Sequence, residues 1–150
     1  MLSKILYTTE VTNIGARTGN VRSSDGVLEL EVRQPAELGG PKSPAFTNPE
    51  QLFAATYSAC YAGALAAVGK GLDMRDATVT AVVHLGNDVA GGFGIAADLH
   101  IRLPHLSTEE AQEVAEKAHQ ACPYSKAIRG NVEVKLVIVS NTKIFFPAKI

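Results

Sequence analysis

From Leu52 to Gly69 the chain runs eighteen residues without a charge, and seven of them are alanine. Asn48 suits the residue that caps a helix, Pro49 its first position, and Gln51 the third position of a capping box. A helix is therefore expected from Pro49 to about Lys70, with Gly71 as its stop. Its length approaches that of a membrane span. Alanine and the hydroxyls of Thr56, Tyr57, Ser58 and Tyr61 partition weakly into hydrocarbon, which argues against membrane insertion and for a buried central helix. Ala55, Ala59, Gly63 and Ala66 put small side chains along one stripe, against which a second helix can lie close.

With 150 residues, 1–150 is expected to form a single domain with a substantial core. Charged residues make up 19%, below the usual ~25%. Part of the surface is therefore expected to face another subunit. A net charge of −1 offers no phosphate-binding surface, so nucleic acid is not an expected partner. The N-terminal stretch MLSKILYTTEVTNIG has no apolar signal core, so a cytoplasmic, thiol-reducing location is expected. Two cysteines, Cys60 and Cys122, are too few for a disulfide framework.

Residues 2–12 read as a strand, Asn13–Asn20 as a turn region, and VLELEV after the Asp25-Gly26 turn as a half-buried strand. Pro35 to Pro49 reads as a loop. Residues 78–85 and 95–103 read as strands joined through GNDVAGGFG. In the second, Ile95, Ala97, Leu99, Ile101 and Leu103 face inward. Ser107 and Glu110 form a capping box for a second helix whose apolar stripe is Ala111, Val114, Ala115, Ala118 and Cys122. Pro123 interrupts that helix, YSKAIRG reads as a turn, NVEVKLVIVS as a strand, and Lys143 to Ile150 as an edge segment. Helices segregated among hairpins give an α+β class with antiparallel or mixed sheets.

Cys60, mid-helix, reads either as a small core hydrophobe or as a nucleophilic thiol. An ordinary thiol is only ~3% ionised at pH 7. The N-terminus of its own helix lies ~18 Å away, too far to help. A cation brought in by the fold could help: an arginine at ~4 Å is worth up to about 3 pKa units before desolvation is subtracted. Cys122 reads as a stripe residue or as a second, resolving thiol. Glu50 complements the helix dipole or serves a site, and Arg17 is a solvated turn residue unless it has a partner. His84, His100, His105 and His119 show no metal-ligand spacing, so no metal is expected. Ser58 lacks the GxSxG elbow, and Gly92-Phe93-Gly94 opens no helix, which sets aside a serine hydrolase and a dinucleotide site.

Thr47-Asn48-Pro49-Glu50-Gln51-Leu52-Phe53-Ala54-Ala55, leading into Tyr57-Ser58-Ala59-Cys60, resembles the signature of the organic hydroperoxide resistance proteins, a branch of the OsmC/Ohr family. Cys122-Pro123-Tyr124-Ser125-Lys126-Ala127 with Arg129-Gly130-Asn131 resembles that branch's second-cysteine motif. Gly15-Ala16-Arg17-Thr18-Gly19 and Ser24-Asp25-Gly26 are similar to its N-terminal region. Ala16 departs from an expected glycine pair, and the Lys42–Phe46 loop is longer than expected. The resemblance implies an OsmC/Ohr-like fold, an intertwined homodimer, and a thiol peroxidase reducing organic hydroperoxides to alcohols. It implies Cys60 as the attacking thiol, Cys122 as the resolving thiol, and Arg17 with Glu50 as the activating pair. It also implies no bound cofactor and re-reduction by a dithiol on a lipoylated protein.

Phe46, Leu52, Phe53 and Tyr57 are candidates to line a groove for an organic tail, or else ordinary core residues. Glu50 and Cys60 lie ~15 Å apart along one helix, so a shared site needs a helix break or parts from two chains. Two other readings stand beside the peroxidase: an OsmC-type peroxidase of different substrate preference, and a non-enzymatic dimeric module binding apolar small molecules.

Overall fold

Nineteen of the twenty residues in the longest helix carry no charge, and its one proline, Pro49, stands at the first position, where a helix accepts it. The computed structural model describes residues 2–43 and 45–139. In chain order, strand β1 is Val11–Ile14, β2 Asn20–Ser23 and β3 Glu29–Glu31. Helix α1 is Pro49–Val68, β4 Thr78–Asn87, β5 Phe93–Arg102, α2 Thr108–Ala121, α3 Pro123–Ile128 and β6 Glu133–Ile138. Short 3-10 turns occupy Ala16–Thr18 and Ala36–Leu38. The class is α+β, as expected. The chain divides into two compact units, Met1–Leu52 and Phe53–Ile150, and the division falls within α1.

The first unit carries an antiparallel sheet in the order β1-β2-β3, with Val21, Ser23 and Val32 buried. The strand expected over residues 2–12 begins only at Val11. Leu2, Ile5, Leu6 and Tyr7, which precede it, are exposed. The start of α1 departs slightly from the expected cap. Asn48 Oδ1 accepts from the Gln51 amide at 2.8 Å, but the Gln51 side chain accepts from the Thr47 hydroxyl instead of completing the box.

The second unit holds a mixed sheet in the order β4-β5-β6: β4 and β5 are antiparallel, while β5 and β6 are parallel. Parallel neighbours need a crossover, and α2 with α3 provides it. Alternation along β5 buries Ala97, Leu99 and Ile101. Against them pack Tyr57, Tyr61 and Leu65 of α1, spaced i, i+4, i+8, and Ala111, Val114, Ala115 and Ala118 of α2. Both halves of the Ser107–Glu110 capping box are formed.

The segment YSKAIRG is mostly helix, not the expected turn. Cys122 has extended backbone (φ −63°, ψ 123°) and serves as both the end of α2 and the cap of α3. Pro123 then starts a new helix at the position where its missing N–H costs nothing. The proposed edge segment Lys143 to Ile150 lies outside the described residues.

Candidate active site

In the first unit the residues after β1 make a five-residue turn that presents Arg17. Gly15 is left-handed (φ 87°), and a Cβ on Gly19 would sit 1.6 Å from the Ile14 carbonyl oxygen, so both glycines are required. The Thr18 amide donates to the Gly15 carbonyl at 3.0 Å, and the Asn13 side chain donates to the Ala16 carbonyl at 3.1 Å. Arg17 reaches across the unit to the first turn of α1. Its Nη2 donates to Glu50 Oε1 at 2.8 Å and Nη1 to Oε2 at 3.3 Å. This fork-to-carboxylate geometry fixes the plane of the guanidinium. The Arg17 side chain is 41% exposed and that of Glu50 15%, so one face of the cation remains open.

Ala16, where a glycine pair was expected, also holds a left-handed backbone (φ 53°). An L-residue there carries steric strain of about 1 kcal/mol that glycine lacks. Ala16→Gly is therefore expected to stabilise the fold by about 0.5 kcal/mol after the entropy of the unfolded glycine is counted, raising Tm by roughly 1–2 °C in a thermal melt. A lowered Tm would mean that the Ala16 methyl makes contacts that outweigh the strain.

In the second unit, the two cysteines, 62 residues apart in sequence, meet: the Cys122 thiol donates to Cys60 Sγ at 3.6 Å. Both are reduced, Cys60 half-buried on α1 and Cys122 fully buried at the α2–α3 joint. Burial pushes the Cys60 thiol above its ordinary range, and the adjacent Cys122 sulfur pushes it further. The Tyr124 backbone N–H, next but one after Cys122, opposes this by bonding to the Cys60 sulfur. Within this unit the groups acting on Cys60 together raise its thiol, the largest cause being burial. Dehydration outweighs one amide dipole, and the thiol is held mainly neutral.

The residues proposed for an organic tail fall in different settings. Phe46 lies under the Arg33 guanidinium at 5.0 Å. Leu52 and Phe53 are half-buried in the first turn and a half of α1. Tyr57 is fully buried, its ring 5.8 Å from that of Phe53 and edge-on to Tyr61. Its hydroxyl is hydrogen-bonded to the equally buried Ser125 Oγ at 2.9 Å. Sequence reasoning missed Tyr124 and Ser125 as site residues. Their place directly after Cys122 in the second-cysteine motif was the signal available.

Among the described residues no group of three or more His, Cys, Asp or Glu side chains gathers as a metal site. His84 pairs with Asp98 and His105 with Asp76, both at the surface. Helix α1 is long and apolar enough to cross a membrane by length and composition. Of its residues only Tyr57, Tyr61 and Leu65 are buried within the single chain, so the expected burial on all sides is not met there; the two tyrosines hydrogen-bond to Ser125 and to the Ala115 carbonyl.

An α+β chain that brings two reduced cysteines of distant sequence into contact is a dithiol protein. Residues 40–137 match the model of the family described as OsmC-like protein. An organic hydroperoxide resistance protein of Xanthomonas axonopodis pv. citri is 43% identical over 138 residues, covering 90% of this chain and 96% of that protein. The organic hydroperoxide resistance protein OhrB of Bacillus subtilis is 46% identical, covering 87% and 96%. The crystal structure of an organic hydroperoxide resistance protein from Elizabethkingia anophelis superposes with a TM-score of 0.85 at 51% identity, covering 92% of this chain and 99% of that one. The chain belongs to the OsmC-like family, in its organic hydroperoxide resistance branch.

Proposed function

We propose that the protein is a cysteine-based peroxidase that reduces organic hydroperoxides to alcohols. The observation that carries this reading is the 3.6 Å contact between the Cys60 and Cys122 sulfurs. Two reduced thiols at that distance close to a disulfide with only local movement. The printed names of the relatives point to the same substrate class.

The Cys60 thiolate attacks the distal oxygen of the hydroperoxide. The O–O bond breaks, the alkoxide leaves and takes a proton to become the alcohol, and Cys60 becomes a sulfenic acid. Cys122 attacks that sulfur, hydroxide leaves as water, and the Cys60–Cys122 disulfide forms. A dithiol carried on a lipoylated protein then reduces the disulfide through a mixed disulfide. No cofactor remains bound. Arg17, oriented by Glu50, supplies the positive charge that the Cys60 anion needs. Phe46, Leu52 and Phe53 favour a bulky organic tail over hydrogen peroxide, since each buried CH₂ contributes about 0.8 kcal/mol.

In this reading the protein works as a cytoplasmic, soluble homodimer whose sites draw on both subunits. Support comes from α1: Ala55, Ala59, Ala62, Gly63, Ala66 and Ala67 are exposed and uncharged, a face that a second chain can cover.

Counting free thiols after adding an alkyl hydroperoxide to the reduced protein tests the assignment. Loss of two thiols per chain at a rate proportional to peroxide is expected. Slow loss independent of peroxide structure would instead leave a non-enzymatic module for apolar ligands.

A further inference from the structure

Two bonds tie α1 to the α2–α3 joint, and they run in step. Tyr57 and Cys60 are three residues apart on α1, so they lie on one face. Cys122 and Ser125 are three residues apart at the start of α3, with Pro123 and Tyr124 between. Cys60 faces Cys122 at 3.6 Å, and one helical turn away Tyr57 faces Ser125 at 2.9 Å. Tyr57, Ser125 and Cys122 are all fully buried. A hydroxyl pair in such a place costs stability if either partner is lost, so its geometry is well determined. The sulfur pair is weaker and longer, and it must still shorten to about 2.05 Å when the disulfide forms.

We infer that Tyr57 and Ser125 are positioning residues for the second chemical step, the closure of Cys122 onto oxidised Cys60. This rests on the peroxidase reading. In that step Cys122 sulfur attacks the Cys60 sulfenic sulfur. The S–O bond breaks, the oxygen leaves as water with the proton from Cys122, and one S–S bond forms. Cys122 sits on extended backbone between two helices, so its sulfur can travel by rotation at that joint without unwinding α2 or α3. What keeps the travel short and in line is the fixed end of α3. The Tyr57–Ser125 bond pins α3 to α1 at the residue three beyond the moving sulfur. Tyr57 thereby acts from the core, with its hydroxyl engaged by Ser125, and not as a wall for substrate.

The experiment separates the two steps. Reduced wild type, Ser125→Ala, Tyr57→Phe and the double variant are each mixed with one equivalent of alkyl hydroperoxide. Sulfenic acid is trapped with dimedone at timed intervals, and disulfide is followed by mass. Ser125→Ala and Tyr57→Phe are each expected to slow disulfide closure about tenfold, the scale of one buried hydrogen bond felt in the transition state. Trapped sulfenic acid should rise in proportion.

The double variant should close no more slowly than either single one, because both act through the same bond. It also removes both polar groups together, so it folds without an orphaned hydroxyl. Its Tm, measured alongside, distinguishes lost stability from lost alignment: a fall in Tm with an unchanged ratio of sulfenic acid to disulfide would overturn the inference. So would additive slowing in the double variant. Absence of any sulfenic acid or disulfide in the wild type would instead remove the peroxidase reading itself.

Discussion

Cys60→Ser is expected to lower peroxide consumption by at least about a thousandfold, because a serine hydroxyl is essentially un-ionised at neutral pH and a poor nucleophile toward oxygen. Cys122→Ser should behave differently. Its Cys60 remains able to attack once, so one equivalent of hydroperoxide is consumed at close to the wild-type rate and then turnover stops. The product carries a sulfenic acid with no neighbouring thiol, and excess peroxide should drive it to sulfinic acid. Stopped-flow consumption with intact-mass detection reads both outcomes. The asymmetry is set by burial. Cys60 is half-exposed and can meet a substrate, whereas Cys122 has no accessible surface and can meet only Cys60. If Cys122→Ser alone prevented the first turnover, the two roles would be exchanged.

The second large effect concerns Arg17. Within its own unit the Cys60 thiol is pushed upward, by burial first and by the Cys122 sulfur after it. A thiol held that high is less than ~3% ionised at pH 7, so the proposed chemistry needs a cation. In the wild type, alkylation of Cys60 by iodoacetamide is therefore expected to titrate on the acid side of an ordinary thiol. Arg17→Ala should move the midpoint upward by roughly 2–3 pH units, the Coulomb contribution of a guanidinium at contact distance less its dehydration.

The sign follows from charge: a cation stabilises the anion, so its removal raises the pH at which the anion forms. The peroxide rate at pH 7 should fall by less than the thiolate fraction does, since a more basic thiolate is a better nucleophile. Raising the pH to 9–10 should restore much of it. An unshifted midpoint would release Arg17 from the site. Mixing Arg17→Ala and Cys60→Ser chains adds a test of assembly. Activity reappears only if a site takes Arg17 from one chain and Cys60 from the other.

What the sequence revealed tracks how local each determinant is. The α1 and α2 boundaries were legible because Asn48, Pro49, Ser107 and Glu110 act on residues within one turn. The inward face of β5 was legible because alternation is a property of neighbours. Residues 2–10 misled because residues that favour strands, such as Ile5, Tyr7, Thr8 and Thr9, do not by themselves supply a partner strand. The short α3 was read as a turn because six residues with Pro123 at their head carry too little periodicity.

The site divides the same way. Cys60 and Cys122 could be singled out by residue type, yet their contact depends on the parallel β5–β6 crossover that folds one over the other. The Arg17–Glu50 pair came from family resemblance, because nothing within 33 residues of sequence links a turn arginine to a helix glutamate. The Tyr57–Ser125 bond was invisible: a tyrosine in an alanine-rich helix looks like any core aromatic until its hydroxyl partner is known.

That crossover has a thermodynamic consequence. A bond between Cys60 and Cys122 would lace together a loop 62 residues long that contains the whole β4–β5 hairpin. Chain-entropy reasoning assigns such a closure about 4 kcal/mol of resistance to unfolding, by restricting the denatured ensemble. The molecule would thus be most robust when peroxide is plentiful and reductant scarce, waiting laced until electrons arrive to loosen it.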